Sequence, residues 1–208
     1  MSNFPTSSDS LFIPNQTFTD VIIDTGINKF FYFSESYRIA AEQLFERLKI
    51  PEYENHFLIA PTIFACRHFI ELRLKELISG INYTKNETYS FPDGHNLDNL
   101  WNTHKSSLLT NDPSIIPNRN DLANIERLIK EFNNIDSSSM SFRYPVEKDK
   151  TTGTLHNLSS FDINNFMEVM ERIFNFFYEQ SGNLFNLIAM AEEYFSYLNN
   201  QIAEAYSN

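Results

Sequence analysis

The chain has 208 residues, enough for one substantial hydrophobic core and short for two independent ones. Sixteen Lys and Arg against twenty-seven Asp and Glu give a net charge of −11, so the averaged field repels phosphate backbones and disfavours generic nucleic-acid binding, while leaving room for a local basic pocket. The single cysteine, Cys66, excludes an intrachain disulfide and a cysteine-based metal cluster, and its place in an apolar run makes it a small core side chain rather than a reactive thiol.

Residues 1 to 28 mix Ser, Thr, Asn and Pro with one β-branched run, Val21-Ile22-Ile23, and read as an irregular N-terminal arm with at most a short strand. The opening MSNFPTSSDSLFIPN lacks the basic and apolar regions of a secretory signal. No later segment approaches the roughly 18 to 20 uninterrupted apolar residues of a bilayer crossing, so the expected setting is cytoplasmic, with no membrane.

From Lys29 the pattern turns helical, with Phe30, Phe33, Tyr37, Ala41, Leu44, Phe45 and Leu48 at helical spacing and Pro51 as the stop. The central stretch, His56 to Gly80, is the longest apolar segment and also holds the densest cluster of ionisable groups. On a helical wheel Ile59, Ile63, Cys66, Ile70, Leu74 and Leu77 form a broad apolar face. Arg67, His68, Glu71 and Lys75 share a second stripe, while Thr62, Arg73 and Glu76 fall on a third side that can meet water. Pro61 implies a kink or a late helix start, and Gly80 a stop.

After the turn at Pro92-Asp93-Gly94, a third helix is expected from Leu97 to about Leu109, broken at Asn111-Asp112-Pro113, and a fourth from about Arg119 to Asn134. The least helical stretch, 135–160, suits a small hairpin or a loop around residues 140–158. Two further helices, from about Asp162 to Gln180 and from Leu184 to Tyr206, are separated by Ser181-Gly182-Asn183. The fold class is therefore all-α: a bundle of five or six helices forming one domain over 29–208, with the Arg67 to Lys75 segment near its centre and Phe142-Arg143-Tyr144-Pro145 across one end. The aromatic C-terminal helices suit an isologous homodimer.

Arg67, Glu71 and Lys75 stand one turn apart and can form an acid-base ladder. Exposed, it is a solvated salt-bridge face; buried, it needs partners from distant segments, of which Arg143 is the most attractive, its planar fork matching the Glu71 carboxylate. His68 suits a general base or a nucleic-acid contact as well as a hydrogen-bonded packing role. His95 joins a site only if the fold brings it near His68 or Glu71, and His104 and His156 have no local company. The candidate groove thus comprises Arg67, His68, Glu71, Lys75, His95 and Arg143. No metal-ligand spacing, phosphate-cradling glycine loop or serine-nucleophile motif is found, so neither a metal nor a cofactor is expected.

The order of ACRHFIELRLKELI in a long helix, then GHNLDNLW, then FRYP, then amphipathic helices resembles bacterial all-helical proteins related to the HEPN superfamily, over roughly residues 30 to 206. The resemblance implies a helical, commonly dimeric protein of a phage-defence or stress-response (toxin-antitoxin-like) system, with RNA or a nucleotide as ligand or a partner protein from the same operon. Many of that superfamily are metal-independent ribonucleases with an arginine followed four to six residues later by a histidine. Here Arg67 and His68 are adjacent and Arg143 precedes His156 by thirteen positions. The pair therefore does not carry over, which favours a binding or regulatory module. A ribonuclease would need His68 as acid/base with Arg67 or Arg143 stabilising the phosphorane, and a purely structural polar network is the third reading.

Overall fold

The computed structural model describes residues 29–86, 88–109, 116–146, 149, 151–154, 158 and 160–207. These contain five α-helices: α1 Lys29–Leu48, α2 Ile59–Asn86, α3 Leu97–Leu109, α4 Arg119–Ile135 and α5 Ile163–Ser207. A 3-10 turn, Tyr53–Leu58, leads into α2. The all-α class expected from the periodicity is what is seen; the expected arm, with Val21-Ile22-Ile23, and the Asn111-Asp112-Pro113 break lie outside the described residues. No helix among the described residues is long and apolar enough to cross a membrane.

α2 is the hub, packed against α1, α3 and α5, and α3 in turn packs on α4. Every residue from Glu71 to Ile81 is buried, so this part of α2 has no solvent side. Its core partners include Phe45 of α1, Leu97 and Trp101 of α3, and Phe174 and Phe177 of α5. Phe69 meets both rings of α5 edge-on, with centroids 4.8 Å from Phe174 and 6.0 Å from Phe177, the arrangement that brings a ring's positive edge to its neighbour's negative face.

The late helix start that Pro61 implied is what is seen: α2 begins at Ile59, and Pro61 sits in its first turn, where its missing N–H has no helical partner to lose. Two other expectations about helix ends are corrected. Gly80 does not end α2, which continues to Asn86. It is instead a point of close approach: a Cβ there would stand 2.6 Å from Cδ2 of Leu184, so the absence of a side chain lets α5 lie against α2. Ser181-Gly182-Asn183 does not divide the C-terminal region, and α5 runs unbroken for 45 residues, about 67 Å at 1.5 Å per residue. A helical glycine costs only about 1 kcal/mol relative to alanine. Burial of Phe177 and Leu184 on either side, and of Ser181 itself, outweighs it.

Between α4 and α5, residues 136–146 form turns, and the hairpin expected around 140–158 reduces, among the described residues, to one antiparallel bridge between Val146 and Gly153. Phe142 from this segment is buried in the core, while Arg143 and Tyr144 are exposed. α3 and α4 are tied by Glu126, which accepts from Lys105 at 2.5 Å and Lys130 at 2.6 Å. These two hydrogen bonds hold its carboxyl down at about 2.

His104 of α3 is buried beside Trp101, and neither ring nitrogen has a hydrogen-bond partner. Burial alone lowers its pKa from 6.5 to about 4, so it is held neutral. The unfolded chain therefore takes up a proton at this group before the native state does, and stability present above pH 6.5 is lost as the pH falls toward 4. At 1.36 kcal/mol per pKa unit the loss is about 3 kcal/mol. Urea unfolding at pH 7 and pH 4.5 should show a smaller drop in His104→Leu than in the wild type; equal drops would show that His104 contributes nothing to the acid sensitivity.

Candidate functional site

Arg67, about two turns into α2, is fully enclosed, and each of its three guanidinium nitrogens donates to the protein. Nε donates to the Asp136 carbonyl at 3.0 Å and lies 3.3 Å from that residue's Oδ2; Nη1 donates to Glu71 Oε2 at 3.1 Å and Nη2 to the His95 carbonyl at 2.6 Å. One side chain thus joins α2, the approach to α3 and the end of α4. Each acceptor is itself placed locally. Asp136 Oδ1 accepts from the backbone N–H groups of Met140 at 2.8 Å and Ser141 at 3.1 Å, closing the turn after α4. Asn96 Oδ1 accepts from the Asn99 N–H at 2.9 Å, and Asn133 Oδ1 from the Leu97 N–H at 3.0 Å, capping the start of α3.

Glu71 is 1% exposed and surrounded by donors. Besides Arg67, Lys75 Nζ lies 3.0 Å from Oε1 and His95 Nδ1 2.8 Å from the same oxygen. Burial by itself would push this carboxyl up, but the hydrogen bonds from His95 and Lys75 and their charges outweigh it and leave the pKa below the usual value. The ladder of Arg67, Glu71 and Lys75 is therefore a buried ion network, and His95, remote in sequence, does join it.

Arg143 does not bond Glu71, as its charge and position suggested it could. Its Nε donates to the Ser139 carbonyl at 2.6 Å, and Nη2 lies 3.0 Å from Met140 Sδ. The physical reason is that Glu71 is already saturated by three nearer donors, and Ser139, in the left-handed region at φ 64°, turns its carbonyl within reach of Arg143. Arg143 nonetheless stays at the site's edge, its Cζ 5.5 Å from the centroid of Phe64, within cation-π range.

Phe64 in turn stacks on His68, centroids 5.5 Å apart at 11°, and Tyr37 of α1 meets the same imidazole edge-on at 4.4 Å. His68 keeps about a quarter of its side chain exposed, while Nδ1, 4.0 Å from Glu71 Oε2, accepts or donates no hydrogen bond. Burial lowers its pKa; Glu71 opposes this, and the charges of Arg67, Lys75 and Arg143 reinforce it, so the ring is neutral at pH 7. His95 and Lys75 complete the rim, the former 57% exposed at its side chain and the latter 5.9 Å from the ring of Phe91.

A second ion cluster escaped the sequence reading, which set Thr62, Arg73 and Glu76 toward water. All three are buried. Arg73 reaches Glu35 of α1 with Nη2, and its Nη1 donates to Glu76 at 2.7 Å and to Ser181 of α5 at 3.1 Å. Its guanidinium also lies over Phe31 at 4.7 Å and Phe69 at 5.4 Å. The available signal was the excess of α2's apolar surface over what one buried face requires, which leaves no side of the helix for solvent.

Among the described residues no group of three or more His, Cys, Asp or Glu side chains is placed to hold a metal ion. Cys66 is enclosed in the core, and burial raises its thiol pKa, which keeps it protonated and unreactive.

Comparison of the chain with protein-family models, with curated proteins and with solved structures finds no match in any of the three.

Proposed function

We propose that the chain is a HEPN-like bacterial binding or regulatory module of a cytoplasmic phage-defence or stress-response system, and that it binds RNA or a nucleotide at the surface around His68. The observation that carries the reading is the imidazole held between Tyr37 and Phe64, partly open to solvent and neutral. Aromatic rings and an Arg guanidinium at one surface are what base stacking and phosphate contact need. Locally Arg67, Lys75 and Arg143 outnumber Glu71 and Asp136, so this patch is positive on a chain of net charge −11. The motif order described above supports the family reading.

Arg67 and Glu71 serve this site as scaffold, because both are enclosed and their polar atoms are taken. A ribonuclease reading is left with His68 and Arg143. The neutral state of His68 suits a general base, and this is the feature that favours that second reading.

The outer surface of α5 exposes Met190, Tyr194, Tyr197 and Ile202, apolar area that supports pairing of two copies through this helix. Sedimentation of the purified chain should give twice the monomer mass, and Tyr194→Glu should return it to monomer; a monomeric wild type at micromolar concentration contradicts the pairing.

Labelled RNA and nucleotides, with and without chelator, test the ligand reading. Binding without cleavage is expected, weakened about tenfold, or 1.4 kcal/mol, by Arg143→Ala and by His68→Ala. Affinities unchanged in both variants would remove the site. Chelator-resistant cleavage, lost in both variants and kept in a distant surface mutant, would replace the regulatory reading by the ribonuclease one.

A further inference from the structure

α4 packs along α3 but not along α5, and the gap between α4 and α5 is an open, apolar-walled groove. Two recesses of about 400 and 570 Å³ run into one another there, since Arg127, Leu128, Val169 and Ile173 line both. The two helices are antiparallel: the first recess lies between the end of α4 and the start of α5, the second between the start of α4 and the middle of α5. From Asp121 to Ile135 the α4 wall is about 21 Å long at 1.5 Å per residue. Leu128, Ile135, Phe166, Val169 and Phe176 rest on the core beneath yet stay partly open to solvent along this groove.

The length and shape match one helix. An amphipathic helix of about 14 residues spans the same distance and lays a stripe of large apolar side chains into such a groove. Charge decides which helix. The groove holds two arginines, and each is already taken: Arg127 Nη1 lies 3.4 Å from Glu131 and Arg172 Nη2 3.2 Å from Glu168. Glu131 and Asp162 stand at one end of the groove, Asp121 and Glu179 at the other, so its rim is net negative. The chain's own apolar segments carry the same sign. Residues 184–207, the outer end of α5, contain Glu192, Glu193 and Glu204 and no Lys or Arg, and residues 1–28 contain Asp9, Asp20 and Asp24 and no Lys, Arg or His.

We propose that the groove between α4 and α5 receives a basic amphipathic helix of another protein, its apolar stripe on Leu128, Val169 and Phe176 and its Lys or Arg side chains meeting the carboxylates at the two ends. The net charge of −11 adds long-range attraction for such a partner. The groove shares no lining residue with Tyr37, Phe64, His68 and Arg143, so its occupancy is independent of the RNA reading.

Fluorescence anisotropy with the full chain and a labelled peptide of about 14 residues, leucines at helical spacing and lysines toward both ends, tests this. The peptide should bind at least about tenfold more tightly than a scrambled peptide of the same composition, and than the same helix with glutamate in place of lysine. Val169→Arg, which sets a charge in the wall shared by both recesses, should weaken the lysine peptide by about tenfold or more. Glu179→Lys should weaken the lysine peptide and tighten the glutamate one, whereas Glu193→Lys, the same charge change on an exposed residue outside the groove, should move neither. That pair decides the matter if Val169→Arg does not fold. Equal affinity for the lysine, scrambled and glutamate peptides, binding unchanged in Val169→Arg, or equal effects of Glu179→Lys and Glu193→Lys would overturn the proposal. So would a dimer of the wild-type chain that Val169→Arg dissociates, since a second copy would then fill the groove.

Discussion

A buried guanidinium is held in place only if every one of its donors is answered, and Arg67 sets that condition for the bundle. Its acceptors come from the body of α2, the residue before the α3 cap and the residue that ends α4. None of these three segments can shift without stripping a partner from a charge that water does not reach. The turn at 136–141 and the start of α3 are both fixed by short side-chain caps, so Arg67 acts on elements that are already locally shaped. The arrangement specifies one register of helices more than it adds net stability, because desolvation of the ions offsets much of their attraction.

The same logic applies on the other flank of α2, where Arg73 draws Glu35 of α1 and Ser181 of α5 to one point. The two knots differ in their balance. Around Arg67 the donors of Lys75 and His95 keep Glu71 readily ionised, while Asp136 Oδ2 has only the Arg67 charge at 3.3 Å; around Arg73 the carboxylates are in excess, and Glu76 is pushed the other way. The first cluster is architecture that frames a surface, whereas the second ties α1 and α5 to α2.

Most of the helices were legible because their boundaries rest on local signals. The periodicity from Lys29 to Leu48, the turn at Pro92-Asp93-Gly94 before Leu97 and the break at Asn111-Asp112-Pro113 ahead of Arg119 depend on nearby residues, and α1, α3 and α4 appear where they indicate. The errors arose where tertiary packing overrides a local breaker. Gly80 and Gly182 look like stops in isolation, yet α2 runs past Gly80, against which Leu184 packs, and α5 runs past Gly182, flanked by the buried Phe177, Ser181 and Leu184. Likewise the polar stripe of Arg67, Glu71 and Lys75 could be read from spacing, and so could its need for distant partners if buried. The identity of those partners could not, because Asp136 and the His95 carbonyl are brought in by the fold, and a backbone carbonyl leaves no trace in side-chain pattern. Arg143 was the chemically obvious choice for Glu71, but saturation of that carboxylate by nearer donors sends it to Ser139 and to the face of Phe64.

Removal of one member of a buried ion network strands the others, which costs about 3 to 5 kcal/mol, against less than about 1 kcal/mol for a pair in water. Equilibrium urea unfolding of Arg67→Met, whose side chain preserves most of the apolar stem, therefore bears most directly on the central claim. A loss of about 3 kcal/mol or more is the result this structure demands. A loss below about 1 kcal/mol would contradict it, placing Arg67 among ordinary surface charges and leaving the three segments to be held by apolar packing alone.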